Sequence, residues 1–352
     1  MTRLHDQLVA EIKANGPISI AAYMQTCLLH PTMGYYATRD PLGTKGDFTT
    51  APEISQMFGE LIGLCLAQAW LDQGQPHRIS LAELGPGRGT LMADILRATR
   101  GVPGFHAAMS VHMVEASPVL RALQAKAVPQ AIFHDSVDGL PDAPLYLVAN
   151  EFFDALPIRQ FIRAGGLWRE RVVGVENGQL AFGLTDAAPI AVMEHRLADT
   201  EDGDLVEYCP PLGPIVSAID ARIATQGGAA LVIDYGDWQS QGDTLQALSR
   251  HSYADPLTTA GEADLTAHVD FAEIARHATT CNHTRLTPQG VFLERLGITA
   301  RAEALAKTLA GSALENHIAA HRRLTHPAEM GDLFKVIGLT PKNAPAPAGL
   351  NP

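Results

Sequence analysis

The chain has 352 residues, 46% hydrophobic and 18% charged, with a formal net charge of −12. That length holds one large domain with an insertion, or two domains. The acidic balance argues against a general nucleic-acid or anionic-membrane binder, and no run approaches the roughly 18 apolar residues of a membrane span.

Leu4, Leu8 and Ile12, then Ile18 to Cys27, predict two short amphipathic helices broken at Gly16-Pro17. A Gly-, Thr- and Asp-rich stretch follows from His30 to Thr50, expected to be an ordered loop given Tyr35, Tyr36 and Phe48. A helix is expected from Pro52-Glu53 to about Asp72, with proline in its first turn. Strand–helix alternation then begins, with strands at 79–84, 110–115, 130–134 and 144–149 and helices at 89–99 and 117–127. From about 157 to 211 apolar and polar residues alternate between turns at Gly165-Gly166 and Asn177-Gly178, as in an antiparallel meander inserted into a parallel core.

Parallel character returns with a helix near 212–226 and a strand at 229–236. The segment 237–267 reads as a polar loop, Asp270 as the cap of a helix over 271–280, and 283–287 as a strand. A helix from Leu296 to about His321 and a strand over 333–337 precede a Pro/Ala tail expected to fray. The chain divides accordingly into an N-terminal helical extension and lid loop (1–60), a first core half (61–156), the meander (157–211) and a second core half with helical additions (212–352).

Cys27, Cys65, Cys209 and Cys281 form no C-x-x-C pair, and the histidines form no H-E-x-x-H. These cysteines read as buried hydrophobes in a reducing compartment, with no metal site. The first residues lack the apolar core of a signal peptide, so the expected location is cytoplasmic.

The most informative stretch is 79–91, a short apolar strand carrying Glu83 and running into Gly85, Gly87 and Gly89. Alternate glycines let a ligand approach the end of a parallel strand. A dinucleotide site needs G-x-G-x-x-G and a ribose-binding acid about 20 residues on. Here the third glycine comes one place early, and the next strand delivers Glu115 30 residues after Gly85. A lone diol acceptor fits a mononucleoside such as S-adenosylmethionine (AdoMet). Glu83 would repel a pyrophosphate and favour a sulfonium or ammonium group.

Ligands of open α/β sheets bind beyond the carboxyl ends of the strands. Gly85 to Gly89, Glu115, Asp135-Ser136, Asn150 to Asp154 and Asp234-Tyr235-Gly236 should gather there. Asp135 and Ser136 read either as adenine partners or as a solvated turn. Methyl transfer is an in-line displacement that needs no metal, so the protein mainly aligns the acceptor and excludes water. The segment Asn150-Glu151-Phe152-Phe153-Asp154 is the candidate transfer centre. For an arginine acceptor, Glu151 and Asp154 would hold the guanidinium and accept its proton; alternatively Glu151 caps a following helix and Asp154 is an exposed charge. His268, two residues before Asp270, is a second catalytic candidate unless Asp270 serves only as an N-cap.

Together, Gly46-Asp47-Phe48-Thr49-Thr50-Ala51-Pro52-Glu53-Ile54-Ser55, Glu83 to Leu91, Asn150 to Pro157, Asp234-Tyr235-Gly236 and His268-Val269-Asp270-Phe271 resemble the MidA family. Gly290 to Leu293 and Met330 to Val336 are similar to it too. This family includes the mitochondrial arginine methyltransferase that serves complex I assembly. The resemblance implies an α/β class I methyltransferase (Rossmann-like), with a mostly parallel sheet, an N-terminal helical extension and an inserted antiparallel β subdomain. It further implies AdoMet as cofactor, held by Gly85, Gly87 and Glu115, with the loop from Thr49 to Glu53 as a lid. The implied reaction is symmetric dimethylation of an arginine in a respiratory NADH dehydrogenase subunit. A non-catalytic AdoMet-binding assembly protein and a nicotinamide oxidoreductase are the alternatives. The oligomeric state, a homodimer included, stays open.

Overall fold

The computed structural model describes residues 2–38, 50–249 and 252–352. Among them, the central sheet contains β1 (Ile79–Leu84), β2 (Met109–Val114), β3 (Ile132–His134), β4 (Leu145–Asn150), β5 (Gly228–Asp237), β6 (Asn282–His283) and β7 (Phe334–Thr340). Their spatial order is β6-β7-β5-β4-β1-β2-β3. Strands β3, β2, β1, β4 and β5 pair in parallel, while β7 is antiparallel to both β5 and β6. The order reverses between β1 and β4, which opens a crevice at the carboxyl ends of those two strands.

Strands β1 and β4 are buried along their whole length, because helices cover both faces. Side chains alternate between two cores, as the two-residue period of a strand requires. Tyr146 and Val148 pack with the helices Gln56–Asp72 and Thr90–Ala98, whereas Leu147 and Ala149 pack on the helix Leu212–Gln226 from the other side. Burying one such side chain stabilises the fold by about 1.5–3 kcal/mol.

The N-terminal helices are α1 (Arg3–Asn15), capped by the Thr2 side chain, and α2 (Ile20–Leu29), capped by Ser19. Between them Gly16 turns at φ 93°, where a side chain would be strained. The 157–211 region forms its own antiparallel sheet from 159–164, 167–176, 179–184 and 205–208. This sheet gains an edge from the N-terminus, since Ile18 and Ser19 pair with Val173 and Val172. A third core joins α1 and α2 to the meander through Leu4, Leu8, Tyr23, Ile158 and Val173.

The structure corrects the sequence reading in several places. The segment 237–267 holds three short strands, Gln246–Ser249, Ser252–Ala254 and Asp264–Thr266, whose Ala247 and Leu265 join the third core. The helix expected from Pro52 to Asp72 breaks at Ser55, which turns extended and caps Gln56–Asp72 by accepting from the Met57 amide. The expected loop contains the short helix Tyr35–Thr38, and residues 39–49 lie outside the described residues. In place of one helix over 296–321 there are two, Ile298–Ala306 and Gly311–Thr325. The helix begun by Phe271 ends at His277, and two two-residue strands replace the one expected over 283–287. The C-terminal tail is packed: Leu350 is buried in the core, and the Ala348 carbonyl accepts from the Cys65 thiol. Among the described residues no helix is long and apolar enough to cross a membrane.

Candidate functional site

Strand register assembles the site. Leu84 lies opposite Val114 on one side and Ala149 on the other, so the next residues, Gly85, Glu115 and Asn150, emerge side by side. They open onto a cavity of about 720 Å³, also lined by Glu53, Glu83, Gly87, Asp135, Ser136, Glu151 and Phe152. Among its described lining residues five are carboxylic acids and Arg88 alone is basic. Such a wall favours cationic ligands.

The glycine turn is demanding. Gly85, Gly87 and Gly89 have φ of 60°, 54° and 83°, all in the region that L side chains avoid. At Gly85 a Cβ would also stand 2.9 Å from Cδ2 of Phe152. We expect Gly85→Ala to lower stability by about 1–3 kcal/mol, through the strained backbone and the clash. An unchanged thermal midpoint would contradict this. Gly89 caps the helix Thr90–Ala98 and packs against the backbone of Gln124, so it shapes the turn from behind the cavity wall.

Each carboxylate sits in a distinct environment. Glu83 is buried at the end of β1, and burial pushes its carboxyl up to about 8. Its Oε2 has no hydrogen-bond partner among the described residues. Glu115 is also raised by burial, but Oε1 accepts from the Ser117 amide at 2.7 Å and Oε2 from Gln124 Nε2 at 3.0 Å. Glu53 accepts from the Thr90 hydroxyl at 2.5 Å and faces Arg88 at 3.8 Å, which ties the short helix Ala51–Ile54 to the glycine turn. Asp135 is an exposed rim residue paired with Arg121. Thr49 lies outside the described residues.

After β4 the chain turns sharply. Glu151 has φ 52°, rare for a residue with a side chain and a strain of order 1–3 kcal/mol. Its amide still continues the ladder to the Ile233 carbonyl at 2.9 Å. Its Oε1 accepts from the Ala51 amide and from Asn150 Nδ2, both at 3.1 Å. Burial, followed by the neighbouring Asp154, pushes Glu151 up to about 7. No helix follows, so the capping alternative does not hold for Glu151.

Asp154 is buried, contrary to the exposed-charge alternative, and lies outside the cavity lining. It accepts from the Tyr235 hydroxyl, and burial pushes it up to about 6. Behind both sits Asp234, fully buried, whose Oδ2 accepts from the amides of Phe152, Phe153 and Asp154 at 3.2, 2.9 and 3.3 Å. Sequence reasoning brought Asp234 to the sheet end but missed this role as organiser of the turn. The only local signal was an acid ending a buried strand.

His268 also lies outside the cavity lining, its ring edge-on to Tyr235 at 5.5 Å, and burial lowers its pKa. Asp270 does not polarise it. Instead Asp270 is the N-cap of Phe271–His277, accepting from the Glu273 amide at 3.1 Å. The structure therefore leaves His268 off the cavity, packed beside Tyr235.

The donor set decides what fits. Glu83 Oε2 and Asn150 Oδ1, both buried at the cavity wall, are acceptors that no described protein group satisfies. Buried acceptors without partners are costly unless something donates to them. An ammonium group, ribose hydroxyls and a guanidinium are all donors, so these residues fit AdoMet together with a cationic acceptor. A dinucleotide's pyrophosphate would bring only more acceptors.

Residues 61–289 match the family described as S-adenosyl-L-methionine-dependent methyltransferase. The protein arginine methyltransferase NDUFAF7 of Mus musculus mitochondria is 37% identical, over 97% of this chain and 85% of its own. The Danio rerio protein of the same name is 36% identical, over 93% and 84%. A Burkholderia thailandensis protein crystallised with S-adenosylhomocysteine superposes with a TM-score of 0.81 at 29% identity, covering 96% of this chain and 91% of its own. Sheet order, donor set and sequence agree: the chain belongs to the S-adenosyl-L-methionine-dependent methyltransferase family.

Proposed function

We propose that this enzyme methylates an arginine side chain of a protein, with Glu151 as the catalytic carboxylate. The observation that carries the reading is the half-buried Glu151 carboxyl on the cavity wall, fixed by the Ala51 amide and Asn150 beside a partnerless Asn150 Oδ1. The arginine methyltransferase relatives support it.

AdoMet, when bound, supplies an electrophilic methyl on a sulfonium. In our reading Glu83, Gly85 and Gly87 hold its methionine end, Glu115 its ribose, and Asp135 with Ser136 its adenine edge. Gly89 shapes the turn, and Glu53 belongs to the lid. Glu151 and Asn150 then accept hydrogen bonds from the guanidinium. Because a protonated guanidinium has no free lone pair, Glu151 orients one nitrogen and takes the proton lost as that nitrogen is substituted. Asp154 acts through Glu151, and His268 keeps no catalytic role in this reading.

We further propose that 61–156 and 212–352 form the cofactor-binding core, while 1–60 and the 157–211 meander cover the acceptor side. The acceptor implied by the family resemblance is an NADH dehydrogenase subunit, dimethylated symmetrically in the cytoplasm. Incubation with labelled AdoMet and cell lysate, followed by mass spectrometry of labelled proteins, tests this. Label on methylarginine of such a subunit supports it. Label on lysine or on a small molecule refutes it.

Glu83 also predicts a proton balance. Burial holds its carboxyl near 8, so it is mostly protonated at pH 7. A bound cation favours the ionised form, so S-adenosylhomocysteine, through its ammonium group, should release protons on binding at pH 7 and fewer at pH 9. Calorimetry in buffers of different ionisation enthalpy reads this directly, and proton uptake at pH 7 would contradict it.

A further inference from the structure

Glu115 does not hold its orientation unaided. The Gln124 side chain, on the helix Pro118–Ala127, has no exposed surface, and its Nε2 donates both to the Gly87 carbonyl at 2.8 Å and to Glu115 Oε2 at 3.0 Å. Only an NH2 group can serve two acceptors in this way, so the amide orientation is fixed by its partners. Its Oε1 is buried and finds no partner among the described residues. Gln124 Cα lies 3.4 Å from where a Gly89 Cβ would stand, so helix and glycine turn are locked together. Nothing in the G-x-G-x-G spacing or in the acid ending β2 called for a glutamine here.

We propose that Gln124 is a positioning residue that sets sugar discrimination. It clamps the Glu115 carboxylate to the glycine turn, so that the remaining lone pairs meet a ribose diol and not a deoxyribose. This rests on the reading of Glu115 as the ribose acceptor. Ser117 holds the other oxygen of Glu115 through its amide, while its hydroxyl donates to the Tyr36 carbonyl. The carboxylate is therefore gripped from both sides, and a ribose hydroxyl meets an acceptor of fixed direction. Without Gln124, Oε2 is free to rotate, and the diol no longer gains over a single hydroxyl.

The test compares binding of S-adenosylhomocysteine and its 3′-deoxyribose analogue by calorimetry in the wild type, Gln124→Met and Gln124→Glu. The wild type should prefer the ribose form by about tenfold or more, the worth of one charge-assisted hydrogen bond. Gln124→Met keeps the volume and should shrink that preference to under about threefold, mainly by weakening the ribose form. Gln124→Glu places an anionic oxygen against two acceptors. Its ribose preference should return as pH falls and its carboxyl becomes a donor, a response that mere packing would not give. Full discrimination in Gln124→Met, or a pH-independent Gln124→Glu, overturns the proposal while leaving Glu115 in place. A wild type that binds both sugars equally overturns the Glu115 reading as well. Should Gln124→Met fail to fold, the pH response of Gln124→Glu decides alone.

Discussion

Glu151→Gln should lower methyl transfer by about 10²–10⁴-fold, the usual contribution of a positioned acid–base group, while S-adenosylhomocysteine affinity changes by less than about threefold. The substitution is nearly isosteric, and the glutamine carbonyl can still accept from the Ala51 amide and Asn150 Nδ2, so the turn at φ 52° is retained. What is lost is the negative charge that orients a guanidinium and the basic oxygen that takes its proton. The wild-type rate should rise with pH through about 7, because the carboxyl must be ionised and its surroundings hold it there. Burial raises this value most, and Asp154 raises it further; the donors from Ala51 and Asn150 lower it, as does Arg323 on Gly311–Thr325. Asp154→Asn should therefore shift the acidic limb to lower pH. Stopped assays with labelled AdoMet between pH 5.5 and 9 measure both effects. If Glu151→Gln retained more than about a tenth of wild-type turnover, the carboxylate would not be the proton acceptor. A protein that only docks partners through this fold would be indifferent to the change.

Glu115→Ala should weaken S-adenosylhomocysteine binding by about 10²-fold or more, since hydrogen bonds to a charged group are worth about 1.5–3 kcal/mol each. Stability should change less. The substitution strands the Ser117 amide and one N–H of the Gln124 amide, whose other N–H keeps the Gly87 carbonyl, costing about 1–3 kcal/mol apiece. It also removes a carboxylate that burial already disfavours, and the two effects offset in part. The expected pattern is a modest fall in the thermal midpoint of the free enzyme and loss of nearly all ligand-induced stabilisation. Glu115→Gln, which keeps one acceptor, should fall between the two. Undiminished affinity in Glu115→Ala would remove the ribose role from this residue and the basis of the Gln124 proposal.

The glycine turn and the sheet edge beside it are legible in the sequence, because their requirements are local. Glycines at alternate positions mark backbone that must take positive φ, and Gly85, Gly87 and Gly89 do. Uninterrupted apolar runs such as 145–149 mark strands covered on both faces, and β4 is buried throughout. Acids directly after such strands come out at one edge of the sheet because parallel pairing aligns the strand ends.

Other features depend on residues far apart in the chain that carry no matching local signal. Asp234 organises the 152–154 turn across about 80 positions, and Gln124 bridges a carbonyl and a carboxylate on two different strand ends. Ile18 and Ser19 complete a sheet whose other strands begin more than a hundred residues later. The strands within 246–266 are only three or four residues long, too short for alternation to show, and hold their shape by packing on the N-terminal helices. Asp154 and His268 lie off the cavity lining for the same reason. Residue type and spacing report which groups can do chemistry, but which of them face the cavity follows from strand register and from how neighbouring elements fill the space between.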